Sequence, residues 1–277
     1  MKNIFLSSLK ESFYLIWKNR FWFFVMFALE IIFFSVFGYA NISYGAKVVE
    51  SSKAIDEYLS KQNLDEVSVT KNILQQKSIL GDDPLAISRN FNEMVKNLRM
   101  LLVYSFAVLV IFSSILWAFT YKIIHKVNFK KSMKIFFNVF IASLFCYGLI
   151  FAFFYSLSNI SLMEAAEQVS NLFTKYVPFF IFSIILAYFM FILFSLCNET
   201  NLLNIVQKTL SIGIKKIHYI IGAYSIDILF FVLSIILFSY FLDRNLFLLL
   251  ASIMLMIFSF VFGRIFLINV VEKVEKL

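Results

Sequence analysis

The chain has 277 residues, 61% of them apolar and 19% aromatic, with a net charge of +8. No soluble fold needs that much apolar surface, so a soluble globular protein is excluded. In a soluble chain such a charge would point to nucleic acid. Here the bases cluster at the edges of apolar stretches, which points to lipid headgroups instead, and no nucleic-acid partner is expected.

Six apolar stretches recur, at 21–43, 100–120, 135–156, 177–197, 219–241 and 245–268. Each is near the roughly 20 helical residues that cross a hydrocarbon core of about 30 Å. Unpaired backbone polar groups are too costly in lipid, so the stretches are predicted to be helices. The expected fold is all-α: a polytopic six-helix transmembrane bundle, counted as a single membrane domain over 1–277.

In chain order, the first expected element is an interfacial helix over 3–19. Leu6, Leu9, Phe13, Ile16 and Trp17 share one helical face, with Lys10, Glu11 and Lys18 elsewhere. A basic amphipathic helix of this kind lies in the membrane interface. The first span, edged by Arg20, is too long for a signal-peptide core and contains Glu30, so it is read as uncleaved. Beyond it, Val48, Ile55, Tyr58 and Leu59 carry helical spacing outward. Gly81, Asp82, Asp83 and Pro84 form a turn signal. Leu85, Phe91, Met94, Val95, Leu98 and Leu102 then run at helical spacing into the second span. Residues 44–99 are therefore expected to form an outer helical hairpin. Before the third span, Phe129, Met133 and Phe136 repeat beside Lys130, Lys131 and Lys134. Before the fifth, Leu203, Val206, Leu210 and Ile217 line up among Lys208, Lys215 and Lys216. The chain reads as three copies of one unit: short cytoplasmic interfacial helix, span out, span back.

The charges give the orientation. With the N-terminus inside, the inner segments hold fifteen Lys and Arg against four acids. The two short outer loops hold only Lys175 and Arg244 as bases, and the 44–99 loop balances eight bases with eight acids. This positive-inside pattern predicts a multi-pass protein of the cytoplasmic membrane with both termini in the cytoplasm. Lys10, Lys18, Arg20, Lys130, Lys131, Lys134, Lys215 and Lys216 are the expected lipid-headgroup contacts.

Few residues suggest chemistry. Glu30 and Asp227 lie within spans, where an acid is expensive and merits a functional hypothesis. They sit at similar depth in the proposed repeat, where the third span has Ser143. Two readings compete. In one, Asp227 bonds Ser225 or Tyr240, or pairs with Arg264, which enters the last span from its cytoplasmic edge. In the other, the acids face a shared polar interior with a transport or proton role. His125 and His218 stand without acid or thiol neighbours in sequence, so no metal site is expected. Cys146 and Cys197 fall in apolar surroundings and read as packing residues. Gly148 and Ala152 offer a small-residue step for close helix approach. Asn41 and Asn159 begin glycosylation sequons. No phosphate-binding loop, zinc helix or nucleophile elbow occurs, so no catalytic residue, no cofactor and no enzyme activity are expected. Paired Gly/Pro interruptions, which mark broken transporter helices, are also missing from the sequence.

The run Leu9-Lys10-Glu11-Ser12-Phe13-Tyr14-Leu15-Ile16-Trp17-Lys18-Asn19-Arg20-Phe21-Trp22 resembles the start of prokaryotic six-span membrane proteins related to the membrane domain of glycerophosphodiester phosphodiesterases. The resemblance implies repeats of an interfacial helix followed by two spans. It extends to the span layout and to no catalytic motif, so it implies no activity; the long 44–99 loop departs from it. The function expected is a non-enzymatic interaction or lipid-organising module. Its partners would be membrane lipids, and a membrane protein or a second copy of the chain. The alternative is a permease subunit, since the chain is similar to six-span ABC-type permeases that begin with a cytoplasmic interfacial helix. Segments 122–134 and 198–218 would then dock a separate ATPase.

Overall fold

A computed structural model describes residues 4–61, 85–158, 169–198, 202–242 and 244–277. Nine α-helices and one π-helical turn make up the regular structure of these residues, with no strand among them. They are α1 (Ile4–Lys18), α2 (Arg20–Ala40), α3 (Ala46–Lys61), α4 (Ala86–His125), α5 (Phe129–Leu157), α6 (Val169–Ser195), α7 (Leu202–Lys215), α8 (Ile217–Phe241) and α9 (Leu246–Glu275). Six helical segments are long and apolar enough to cross a membrane, beginning at Arg20, Ala86, Phe129, Tyr176, Ile217 and Leu246. The protein is an all-α, multi-pass membrane protein. The Gly81–Pro84 turn, residues 62–84 of the expected hairpin and the Asn159 sequon lie outside the described residues.

Local sequence explains most helix ends. Asn19 separates α1 from α2, and Lys216, at φ −119° and ψ 25°, separates α7 from α8. Lys126 ends α4 at φ 49°, a left-handed position that turns the chain within three residues into α5. Asn245 caps α9, accepting from the backbone N–H of Phe247 at 2.9 Å and of Leu248 at 3.3 Å. Pro178 lies inside α6 without interrupting it. Asn41–Gly45 forms a π-helical turn, so α2 passes into α3 without a break. There the Asn41 amide donates to Phe37 O at 2.8 Å.

One expectation is corrected. The segment before the third span is not a separate interfacial helix: Phe129–Leu157 is one continuous helix. Neither glycine, proline nor a capping residue intervenes at Lys134–Ile135 to stop it, unlike the junctions at Asn19 and Lys216. The last helix runs past the 245–268 apolar stretch to Glu275. Ile265, Phe266, Leu267, Ile268, Val270, Val271 and Val274 are all buried. The C-terminal half of α9 is thus a core element of the bundle.

The described chain packs as two compact units. The first comprises 1–35, 109–148 and 181–277. Its core gathers Trp117, Tyr121, Val139, Phe194, Ile205 and Ile220 around Phe262, Phe266 and Ile268 of α9. Phe258, Phe262 and Phe266 stack in a ladder, with ring centroids 5.9 and 6.0 Å apart. Close helix approach occurs at glycines, though not at the predicted one. A Cβ at Gly148 would meet nothing within 4 Å, whereas one at Gly213 would lie 2.4 Å from Phe189 Cε1 and one at Gly222 2.6 Å from Phe5 Cζ.

The second unit comprises 36–108 and 149–180. It contains the two helical arms expected for the outer hairpin, α3 and the start of α4. Tyr44 and Tyr104 stack at 5.2 Å, and Phe153 stacks on Phe179 at 5.1 Å. Arg99 closes the end of α5, donating to Ser158 O at 3.0 Å and Ser158 Oγ at 3.2 Å. A cation suits this place because the last carbonyls of a helix lack partners within it.

Candidate functional site

The polar groups of the first unit fall into two sets, one inside the spans and one at the end where α1, α7 and the C-terminal turns of α9 meet.

Within the spans, α2, α5, α8 and α9 place the predicted residues at comparable depth. Glu30 lies about 15 Å along α2 from Arg20, and Asp227 about 15 Å along α8 from Ile217, at about 1.5 Å per residue. Arg264 lies on α9 about 16 Å before Glu275 by the same rise. Glu30, only 1% exposed, forms an ion pair with Arg264. The expected alternatives for Asp227 are therefore corrected. Arg264 is taken by Glu30, and Asp227 Oδ1 is buried with no hydrogen-bond partner, on Ser225 and Tyr240 included. The Asp227 carboxyl instead lies against α9 at Gly263, 3.3 Å from where a Cβ would stand. A Cβ there would be a tight contact, to which the carboxyl would have to yield by a few tenths of an ångström.

Ser143 on α5 is fully buried, and its Oγ also lacks a partner. One turn further on, Tyr147 shares a hydrogen bond with Ser113 Oγ of α4 at 3.1 Å and lies within electrostatic reach of Arg264. The Arg264 Nε–H is buried without an acceptor. The arrangement is thus one closed ion pair, a fringe of hydroxyls, and a separate carboxyl held on a glycine. Sequence reasoning missed Tyr147 and Ser113. The available signal was their polar character at span positions facing the depth of Glu30.

At the other set, α9 is the common partner. Asn269 donates to Ser12 Oγ at 2.8 Å, and Lys273 reaches Ser7 Oγ at 3.1 Å and Glu11 at 2.8 Å, which fastens α1. His125 of α4 meets Glu272 at 2.6 Å, and Lys208 of α7 meets Glu275 at 2.6 Å. Asn19 donates to Ile123 O at 2.9 Å, Tyr121 to Phe194 O at 3.0 Å and Asn138 to Cys197 O at 3.3 Å. Tyr188 donates to Gly213 O at 2.8 Å, tying α6 to α7.

Both short helices have a buried face and an exposed apolar face. In α7, Ile205, Thr209 and Ile212 point inward while Leu203, Val206, Leu210 and Ile214 are exposed. In α1, Ser8 and Ser12 are buried while Leu6, Tyr14 and Trp17 are exposed, Trp17 at 79%. Lys10, Lys18, Arg20, Lys130, Lys131, Lys134 and Lys215 are exposed, and Lys216 is half-buried. Lys18 lies 5.3 Å from the ring centroid of Tyr14, and Lys122 3.6 Å from that of Trp22.

Among the described residues, no group of His, Cys, Asp and Glu has the geometry to hold a metal ion. Cys146 and Cys197 are buried free thiols, Cys197 donating to Leu193 O at 3.3 Å. No family model, no curated protein and no solved structure matches this chain. The class defined by the fold is that of a multi-pass helical membrane protein.

Proposed function

We propose that this protein is a non-enzymatic module that organises anionic lipid at the cytoplasmic face of the membrane through α1 and α7. The observation carrying this reading is the outward stripe of α7. Leu203, Val206, Leu210 and Ile214 are exposed on a helix whose opposite side is already buried in protein. A soluble surface would not keep that stripe, and an interfacial helix needs it to enter the acyl boundary. Lys215 beside it, with Lys130, Lys131 and Lys134 on α5, supplies positive charge at headgroup level. Docking on α9 holds α1 and α7 in place, so the lipid contacts are fixed rather than fluctuating.

The test is native mass spectrometry of the protein released from nanodiscs of mixed phosphatidylglycerol and phosphatidylcholine. Retained lipid should be enriched in phosphatidylglycerol. Changing Lys130, Lys131, Lys134 and Lys215 together to Gln should abolish the enrichment without altering the fold. Equal retention of both lipids by the unaltered protein would refute the reading.

A second reading, a permease subunit with a separate ATPase, is supported by α7 as well. It is a short helix between spans, separated from α8 by Lys216. Copurification of an ATPase that is lost on changing Leu203, Val206 and Leu210 to Ser would favour it.

A further inference from the structure

We propose that Asp227 is a proton-binding site within the bundle, carrying a proton while α8 and α9 are closed. Glu30 and Arg264 neutralise each other in their ion pair. Asp227 then has no counter-charge: its Oδ1 is buried without a partner, and its carboxyl rests on the glycine surface of α9. A bare carboxylate in such surroundings is far more costly than a neutral acid.

The charged groups on the elements packed against α8 do not change the balance. On α9 they are Arg264, already engaged, and Glu272, Lys273 and Glu275 at its far end. On α7 and the following residue they are Lys208, Lys215 and Lys216, about 15 Å or more from Asp227 along the chain axis. On α1 they are Lys10, Glu11 and Lys18, with Glu11 held by Lys273 and Lys18 at the far end of the helix, beside Tyr14. The titratable neighbour on α8 itself is Tyr224, whose hydroxyl donates to Tyr188 O of α6 at 2.8 Å. None of these supplies a positive charge at Asp227.

The ligand chemistry follows from the donor set. Hard metal cations take about six oxygens or more. The carboxyl of Asp227 lies against glycine and has no second carboxylate bonded near it, so the occupant must be satisfied by one oxygen atom. A proton is. Uptake forms one O–H bond and removes one negative charge, and release reverses both. Parting α8 from α9 at Gly263 would let water solvate the carboxylate and favour release. The two acids in the spans thus differ in kind: Glu30 is a fixed half of an ion pair, and Asp227 is the exchangeable one.

Infrared spectroscopy of the full chain in nanodiscs at neutral pH tests this. The spectrum should contain the carbonyl stretch of a protonated carboxylic acid. Incorporating aspartate labelled with carbon-13 at its carboxyl should shift that band, which needs no variant. D227N should remove it, whereas E30Q should leave it. If the band is missing, or does not move on aspartate labelling, the proposal is overturned. It is also overturned if sodium ions abolish the band at constant pH, because a metal cation would then be the occupant.

Discussion

Arg264→Met isolates the energetics of the interior. It removes the guanidinium and keeps an unbranched apolar side chain of similar length, leaving the Glu30 carboxylate, 1% exposed, without its partner. Removing one member of a buried ion pair costs about 3–5 kcal/mol, because the charge left behind keeps its desolvation penalty. Replacing both members, as in Glu30→Met with Arg264→Met, removes the penalty with the pair and should bring stability back to near the original value. Two single losses of about 3–5 kcal/mol each, against a double variant near the original stability, make the coupling between the sites about 6–10 kcal/mol. An ordinary neutral hydrogen bond between membrane helices gives about 0.6 kcal/mol, so the two interpretations are well separated. Reversible unfolding in bicelles by steric trapping, applied to both single variants and the double, measures the coupling. Additive losses, with coupling at or below that of a neutral hydrogen bond, would refute the claim that Glu30 is held as a buried ion.

The remaining predictions concern how helices are fastened. Gly222→Ala should destabilise the protein because its Cβ would stand 2.6 Å from Phe5 Cζ, and adding Phe5→Ala should recover much of the loss; thermal unfolding in detergent shows whether the second change rescues. Gly213→Ala should cost about 1–3 kcal/mol by overpacking, since Phe189 and Ile192 both crowd the site and offset the gain in helix propensity; the same unfolding assay measures it. Asn269→Ala breaks the bond to Ser12 Oγ and should cost about 1 kcal/mol, with faster protease cleavage around α1 as the local readout. The half-exposed pairs His125–Glu272 and Lys208–Glu275 should contribute about 1 kcal/mol or less each, so Glu272→Gln and Glu275→Gln should scarcely shift the unfolding midpoint. Cys146 and Cys197, both buried, should resist a membrane-permeant maleimide until the protein is unfolded.

What could be read in advance was whatever depends on composition along one helix. The six spans follow from runs of apolar residues, and the helical arms at 46–61 and 86–102 follow from their apolar spacing. Asn19 and Lys216 mark where α1 and α7 part from the spans that follow. Span ends were legible only where a cap or a charge stands at the boundary. Residues 269–275 carry Asn269, Glu272, Lys273 and Glu275, which read as a polar tail beyond the membrane. Their partners Ser12, Glu11, His125 and Lys208 lie far away in sequence and make those same residues the binding edge of a core helix.

The acids show the same division. That Glu30, Asp227 and Arg264 lie at membrane depth is a matter of counting residues from the span edges, because a helix of fixed rise converts position into depth. Which acid takes the arginine is a matter of helix rotation and neighbour choice, and a single strand of sequence does not contain it. Packing gave Arg264 to Glu30 and set Asp227 on Gly263. The sequence alone therefore determined that this protein crosses a lipid bilayer and where its charges lie along each span. The tertiary structure decided which charges cancel and which one is left over, because cancellation requires two side chains from different helices to occupy the same few ångströms.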